Sequence, residues 1–172
     1  MDLRKESTMP FVIRPARLKD LPALARVYDA AKAYMRLSGN PHQWRGAYPD
    51  PQTLAEDIRR GHLYAMEAEG EIHGVFALIP GEEITYRRIE GAWRNDAPYA
   101  TIHRVASDGA FPGVFRACAG FAKARHDNLR VDTHADNAPM QRAITENGFR
   151  CCGVIHLLNG DPRLAYQYVK DT

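Results

Sequence analysis

The sequence predicts an α/β (α+β) domain in which helices flank one central mixed sheet. Three observations carry this. A strand, a glycine-containing loop and an amphipathic helix follow one another: Tyr99 to Ala106, Ser107 to Gly113, and a helix from Val114. A second strand follows at Asn128–Thr133, and then a capped helix near Asn137 that stops at Gly148-Phe149. Upstream, two β-type runs, His62–Ala68 and Ile72–Ile79, lie close enough to form an antiparallel hairpin.

Length and composition fit that class. A chain of 172 residues is one domain by length and can bury its own core. We expect a disordered leader over 1–9, with Met9 as an alternative start, and a single domain over 10–172. Apolar residues make up 45% and charged residues 26%, the balance of an ordinary soluble protein. Lys and Arg number 23 against 21 acidic residues, a net charge of +2, so neither nucleic acid nor an anionic membrane is an expected partner. No apolar run approaches the roughly 20 residues of a membrane span, and residues 1–10 lack the apolar stretch of a secretory signal. Cys118, Cys151 and Cys152 are odd in number and irregularly spaced, which predicts reduced thiols in the cytoplasm.

The elements follow in order. Phe11–Ala16 is a short strand. Asp20 is placed to cap a helix that carries Pro22 in its first turn, with Leu21, Leu24, Ala25, Tyr28 and Met35 at helical spacing until Ser38-Gly39-Asn40-Pro41 stops it. Asp50 caps a second helix with Pro51 at its first position, Leu54 and Ile58 on one face, and Gly61 at its end. After the hairpin, Ile84–Trp93 has no clear pattern. Val114, Ala117, Cys118, Phe121, Ala122 and Arg125 form one buried helical stripe, and in the last helix Met140, Ala143 and Ile144 point inward. Two terminal strands, Ile155–Leu158 and Leu164–Val169, surround the turn Asn159-Gly160-Asp161-Pro162. The order is β-α-α-β-β-β-α-β-α-β-β.

The glycine loop is the strongest functional signal. Unpaired N–H groups at a helix start, backed by the macrodipole, favour an anion such as phosphate. Strand alternation puts Tyr99, Thr101, His103 and Val105 on one face and Ile102 and Arg104 on the other. His103 is a candidate proton carrier, because an unperturbed imidazole titrates near neutrality; the alternative is a hydrogen-bonded core histidine. His134 can fill the same role. Asp132, His134 and Asp136 alternate and could ligate a metal, but nothing completes a site and none is expected. Asp132 is instead expected to hold a neighbouring backbone group or Arg104, and Asp136 or Asn137 to cap the last helix. Trp44, Tyr86 and Trp93 are core residues or the walls of an apolar acceptor pocket. Glu82, Glu83 and Glu90 can attract a cationic amine, with a solvated surface as the alternative.

The order of parts, the wording Ile102-His103-Arg104-Val105-Ala106-Ser107 and Arg130-Val131-Asp132-Thr133-His134, and the closing Asn137…Gly148-Phe149 resemble the GNAT superfamily of acyl-CoA N-acetyltransferases, in a branch of unassigned substrate. The likeness covers about Phe11 to Lys170. It implies a mixed, largely antiparallel sheet whose fourth and fifth strands, 99–106 and 128–133, splay apart around acetyl-CoA. Backbone groups at Val105, Ala106 and Ser107 would then pair with the pantetheine arm. The N–H groups from Gly109 through Gly113, Val114 and Phe115 would surround the pyrophosphate, and Asn137 would contact the pantetheine chain. A backbone N–H near Val105 would polarise the acyl carbonyl.

The sequence also departs from the family pattern. Ala110 and Phe115 stand where the phosphate loop has Arg or Gln and its second glycine. Ile144 stands where the family often has a Tyr acid. The implied function is acetyl transfer to a small-molecule or peptide amine in a ternary complex, and a homodimer fits the family. The alternative is a non-catalytic acyl-CoA-binding regulatory module.

Overall fold

The computed structural model describes residues 10–171; the expected leader over 1–9 lies outside them. One sheet of eight strands forms the centre, in the order β1-β2-β3-β5-β6-β8-β7-β4. The strands are β1 (Val12–Pro15), β2 (Leu63–Ala68), β3 (Glu71–Pro80), β4 (Glu90–Gly91), β5 (Ala100–Ser107), β6 (Asn128–Thr133), β7 (Arg150–His156) and β8 (Pro162–Val169). The helices are α1 (Leu21–Leu37), α2 (Pro51–Arg59), α3 (Val114–Lys123) and α4 (Ala138–Glu146). Every strand pair is antiparallel except β5–β6.

Local chemistry explains most of these elements. Glu69 and Gly70 both take positive φ, the geometry a two-residue hairpin needs, and β2 pairs with β3 across them. The Asp50 carboxylate accepts the Thr53 N–H at 2.7 Å, capping α2 as expected. Asp20 precedes α1 but does not cap it. Its carboxylate is taken by Arg14, at 2.8 and 3.0 Å, and by the Arg17 N–H. The buried face of α1 is Leu24, Val27, Tyr28 and Ala31, so Val27 and Ala31 replace the expected Ala25 and Met35 as its centre.

Two layers of core result. On one face of the sheet α3 and α4 cover Phe76, Ile102, Leu129 and Val131 with Cys118, Ala122 and Ile144. On the other, α1 and α2 cover Ala65, Val75 and Ala77 with Leu24, Val27 and Leu54. Cys118 is fully buried and its thiol is pushed up by that burial, which makes it a packing residue. Arg125 lies beyond the end of α3, its guanidinium stacked 3.4 Å over Phe121 at the rim.

Two elements differ from expectation. β7 begins at Arg150, directly after Phe149, and Leu157 and Leu158 fall in the turn beyond it. The unpatterned Ile84–Trp93 segment holds a short 3₁₀ turn at Ile84–Tyr86 and the two-residue β4, so the splayed strands become β5 and β6. β4 exists because Gly91 and Gly153 let two backbones meet. A Cβ on Gly91 would collide with the Cys152 carbonyl, and one on Gly153 with that of Glu90. Gly153→Ala is therefore expected to detach β4, visible as loss of hydrogen-exchange protection at Ala92, whose N–H donates to the Cys152 carbonyl.

Candidate active site

β5 and β6 pair at Ala100–Leu129 and Thr101–Arg130 only. Beyond that step they part, and a cavity of about 600 Å³ opens where they separate. Its walls include Ile102, His103, Arg104 and Val105 from β5, Val131, Asp132 and Thr133 from β6, and Trp44, Glu83 and Arg163.

A β-bulge shapes the β5 side. His103 faces Ala77 and Ala106 faces Val75, so Arg104 and Val105 together oppose Phe76. Arg104 is left-handed, at φ 51°, a conformation costing a non-glycine residue about 1–2 kcal/mol. Long-range contacts hold it there. The Tyr28 hydroxyl donates to the Arg104 carbonyl at 2.7 Å, and the guanidinium makes a two-pronged contact with Asp57 at 2.8 and 2.9 Å. The extra residue inverts the alternation expected for this strand. Val105 packs with Ala100 and Ile102 against the α3 side, while Arg104 reaches α2 on the opposite face. The expected grouping of Val105 with His103, and of Arg104 with Ile102, is corrected accordingly.

His103 lines the cavity, but it does not titrate near neutrality. Desolvation, and then the charge of Arg104, hold its pKa down at about 3. It is a neutral imidazole throughout the physiological range and contributes no limb to a pH profile near pH 7. His134 is not among the cavity walls. Its Nδ1 accepts the Asp136 N–H at 3.0 Å, so it belongs to the turn leading into α4.

The loop after β5 is held from outside. Asp108 takes His73 Nδ1 at 2.7 Å and Arg26 at 3.1 Å through one oxygen, and the Ala110 N–H through the other. The Ser107 hydroxyl accepts from Gly109 N–H. Gly113, at φ 82°, stands at the N-cap of α3 with no side-chain cap, so the first-turn N–H groups from Val114 have no intrahelical acceptor. The side chains of Val114 and Phe115 are buried in the core, which leaves their backbone for any ligand. Ala106 is likewise buried, against the α1 side.

Asn137 caps α4 by accepting the Met140 N–H at 3.2 Å. Its amide donates to Gln43 at 2.8 Å, tying the helix start to the segment after α1. Trp44 from that segment packs on Tyr28 and faces the cavity. Tyr86 and Trp93 are structural: Tyr86 is buried, and the Trp93 indole donates to its carbonyl at 2.9 Å. Glu82 is paired with Arg87, Glu90 lies in β4, and Glu83 lines the cavity.

The partner expected for Asp132 is corrected. Asp132 holds neither a backbone group nor Arg104; its Oδ2 accepts the Tyr86 hydroxyl at 2.6 Å, a partner 46 positions away that no local pattern signals. Among the described residues no group of three or more His, Cys, Asp or Glu side chains could hold a metal ion.

Ile144 is fully buried in the α3–α4 core and is not a cavity wall. Ile144→Tyr is therefore expected to overpack and to lose about 1–3 kcal/mol of stability without a gain in rate. A thermal melt beside a rate measurement checks this.

No protein-family model matches the sequence, and no curated relative does. Solved structures do match. An acetyltransferase of the GNAT family from Streptococcus agalactiae 2603 is 29% identical at a TM-score of 0.86, covering 94% of this chain and 96% of its own. A GNAT-family acetyltransferase from Listeria monocytogenes 4b F2365 is 19% identical at 0.67, covering 92% and 94%. A ribosomal-protein-alanine N-acetyltransferase from Brucella melitensis is 21% identical at 0.59, covering 92% and 99%. The splayed β5–β6 pair within a mostly antiparallel sheet and these neighbours show that the chain has the fold of the GNAT-family acetyltransferases.

Proposed function

We propose that the protein transfers an acetyl group from acetyl-CoA to a primary amine by direct attack within a ternary complex. The observation that carries this reading is the parting of β5 and β6 after a single paired step, with the Arg104–Val105 bulge at the point of separation. Two further features fit an acyl-CoA. The Thr133 hydroxyl is fully buried at the cavity wall with no hydrogen-bond partner among the described residues, and a pantetheine amide would supply one. The uncapped first turn of α3 offers N–H groups and a helix dipole to a pyrophosphate.

In this proposal the backbone of Val105, Ala106 and Ser107 holds the pantetheine arm as a neighbouring strand would. The N–H groups from Gly109 to Phe115 take the pyrophosphate, and Asn137 flanks the arm. The Val105 N–H polarises the acyl carbonyl, worth about 3–4 kcal/mol where such a donor is preorganised. Acetyl-CoA supplies an activated thioester. His103, held neutral, offers a hydrogen-bonding ring beside the reaction centre. The acceptor is a small-molecule or peptide amine, with nucleic acid and membrane outside the proposal; no described helix is long and apolar enough to cross a membrane. The proposed setting is the cytoplasm.

The second reading is a regulatory module that binds acyl-CoA without turnover. Ile144 at the usual acid position and Ala110 and Phe115 in the loop favour it. Thiol release from acetyl-CoA against ethanolamine, benzylamine, agmatine and an alanyl peptide separates the two. Amine-dependent release supports the enzyme, and tight CoA binding with release no faster than hydrolysis supports the module. In the enzyme, His103→Ala should lower kcat with CoA affinity intact and should leave the shape of the pH profile near pH 7 unchanged, because the ring is neutral throughout that range.

A further inference from the structure

Deepening the acetyl-transfer reading, on which it rests, we propose that Asp132 is the carboxylate that receives the acceptor's ammonium group and takes its proton, held in place by the Tyr86 hydroxyl. The register supplies the first argument. Thr101 and Arg130 are the last paired residues, and His103 and Asp132 each lie two residues further on, one on each strand bordering the opening. Both line the same cavity. Tyr86 bridges them, with its hydroxyl on Asp132 Oδ2 and its ring centroid 6.3 Å from that of His103.

The second argument is valence. Tyr86 occupies one oxygen of Asp132, while Oδ1 has no hydrogen-bond partner and the carboxylate no ion pair among the described residues. A carboxylate in a cavity with one oxygen fixed and the other free is a ready acceptor for N–H. Tyr86 is fully buried and its ring packs on Trp93 and Tyr99, so the hydroxyl is aimed by the core.

The third argument is the match of proton affinities. Burial raises the Asp132 pKa, opposed by the Tyr86 hydrogen bond and by Arg163 on β8, and reinforced by Glu83. His103 on β5 faces the same space as a neutral ring. Enclosing an ammonium in this cavity lowers its own pKa, so the two affinities converge and the transfer becomes feasible at neutral pH. The step balances. An ammonium N–H proton passes to Asp132, and the freed nitrogen lone pair forms the N–C bond to the acetyl carbon as the carbonyl π pair moves onto oxygen; the nitrogen then gives a second proton to solvent, and the carbonyl re-forms as the C–S bond breaks with its electron pair leaving on sulfur. The thiolate then takes a proton from solvent or from Asp132.

The test uses Asp132→Asn, which keeps an oxygen for the Tyr86 hydroxyl, on two acceptors. One is the most active amine of the panel above, protonated at pH 7; the other is an alkoxyamine, neutral at pH 7. The expected result is a fall in kcat/KM of about 10²-fold or more for the ammonium acceptor and less than about tenfold for the alkoxyamine. Tyr86→Phe should move the ascending limb of kcat/KM to higher pH, because the lost hydrogen bond favoured the ionised carboxylate. Equal losses on both acceptors, or an unchanged rate and limb, would overturn the role of Asp132 while leaving acetyl transfer standing. A wild-type protein that releases no thiol with any acceptor would overturn the acetyl-transfer reading and this inference with it.

Discussion

Replacing Asp57 with Ala is expected to cost about 3–5 kcal/mol, because it strands the buried Arg104 guanidinium without its carboxylate. The side chains of the pair are only 12% and 10% exposed, so solvent cannot take over the lost partner. For a chain of this size the melting temperature should fall by about 6–20 °C. The consequence reaches the site, because the same ion pair holds Arg104 in the left-handed conformation on which the β5 bulge depends. Below its melt the variant should lose acetyl transfer more than CoA binding. A thermal melt that is unchanged would remove the ion pair from the account of the bulge.

The second large effect is expected at Gly113→Asp. A Cβ at this position meets nothing within 4 Å, so the fold has room for the side chain despite the φ of 82°. The carboxylate would sit at the uncapped start of α3 and compete with a bound pyrophosphate for the same N–H groups and dipole. CoA affinity should fall at least tenfold, or about 1.4 kcal/mol, by calorimetry. A folded variant with unchanged affinity would take the loop out of the binding site.

How much of this was legible in the sequence depended on the range of the interaction that fixed each feature. Asp50, Pro51 and Gly61 mark α2 within twelve residues, and Glu69-Gly70 marks the hairpin by itself. β4 was not legible, since Glu90-Gly91 has no periodicity and exists only through its meeting with Gly153. The faces of β5 were misassigned for a related reason. Period-2 reasoning has no means of seeing an extra residue that is stabilised by Tyr28 and Asp57, 76 and 47 positions away. Asp20 reads as a cap from its neighbours alone, yet Arg14 on β1 outcompetes the helix for its carboxylate.

The candidate site divided in the same way. His103 and Val105 were found because their strand was found, and both line the cavity. The ionisation of His103 was not, because its pKa near 3 arises from the burial that folding imposes and from Arg104, which the bulge places nearby. His134 alternates with Asp132 and Asp136 in the sequence, but its ring serves the α4 turn. Asp132 showed no more than an alternation with His134 and Asp136, and acquires its meaning only when Tyr86 is brought against it.

In the proposed enzyme the opening between β5 and β6 receives acetyl-CoA. A crystal structure of the protein with bound CoA tests it most directly. The account predicts the pantetheine arm running along Val105, Ala106 and Ser107, a hydrogen bond from Thr133 Oγ1, and the pyrophosphate on the N–H groups between Gly109 and Phe115. CoA bound elsewhere on the protein, with Thr133 still unpartnered and the first turn of α3 free, would contradict it.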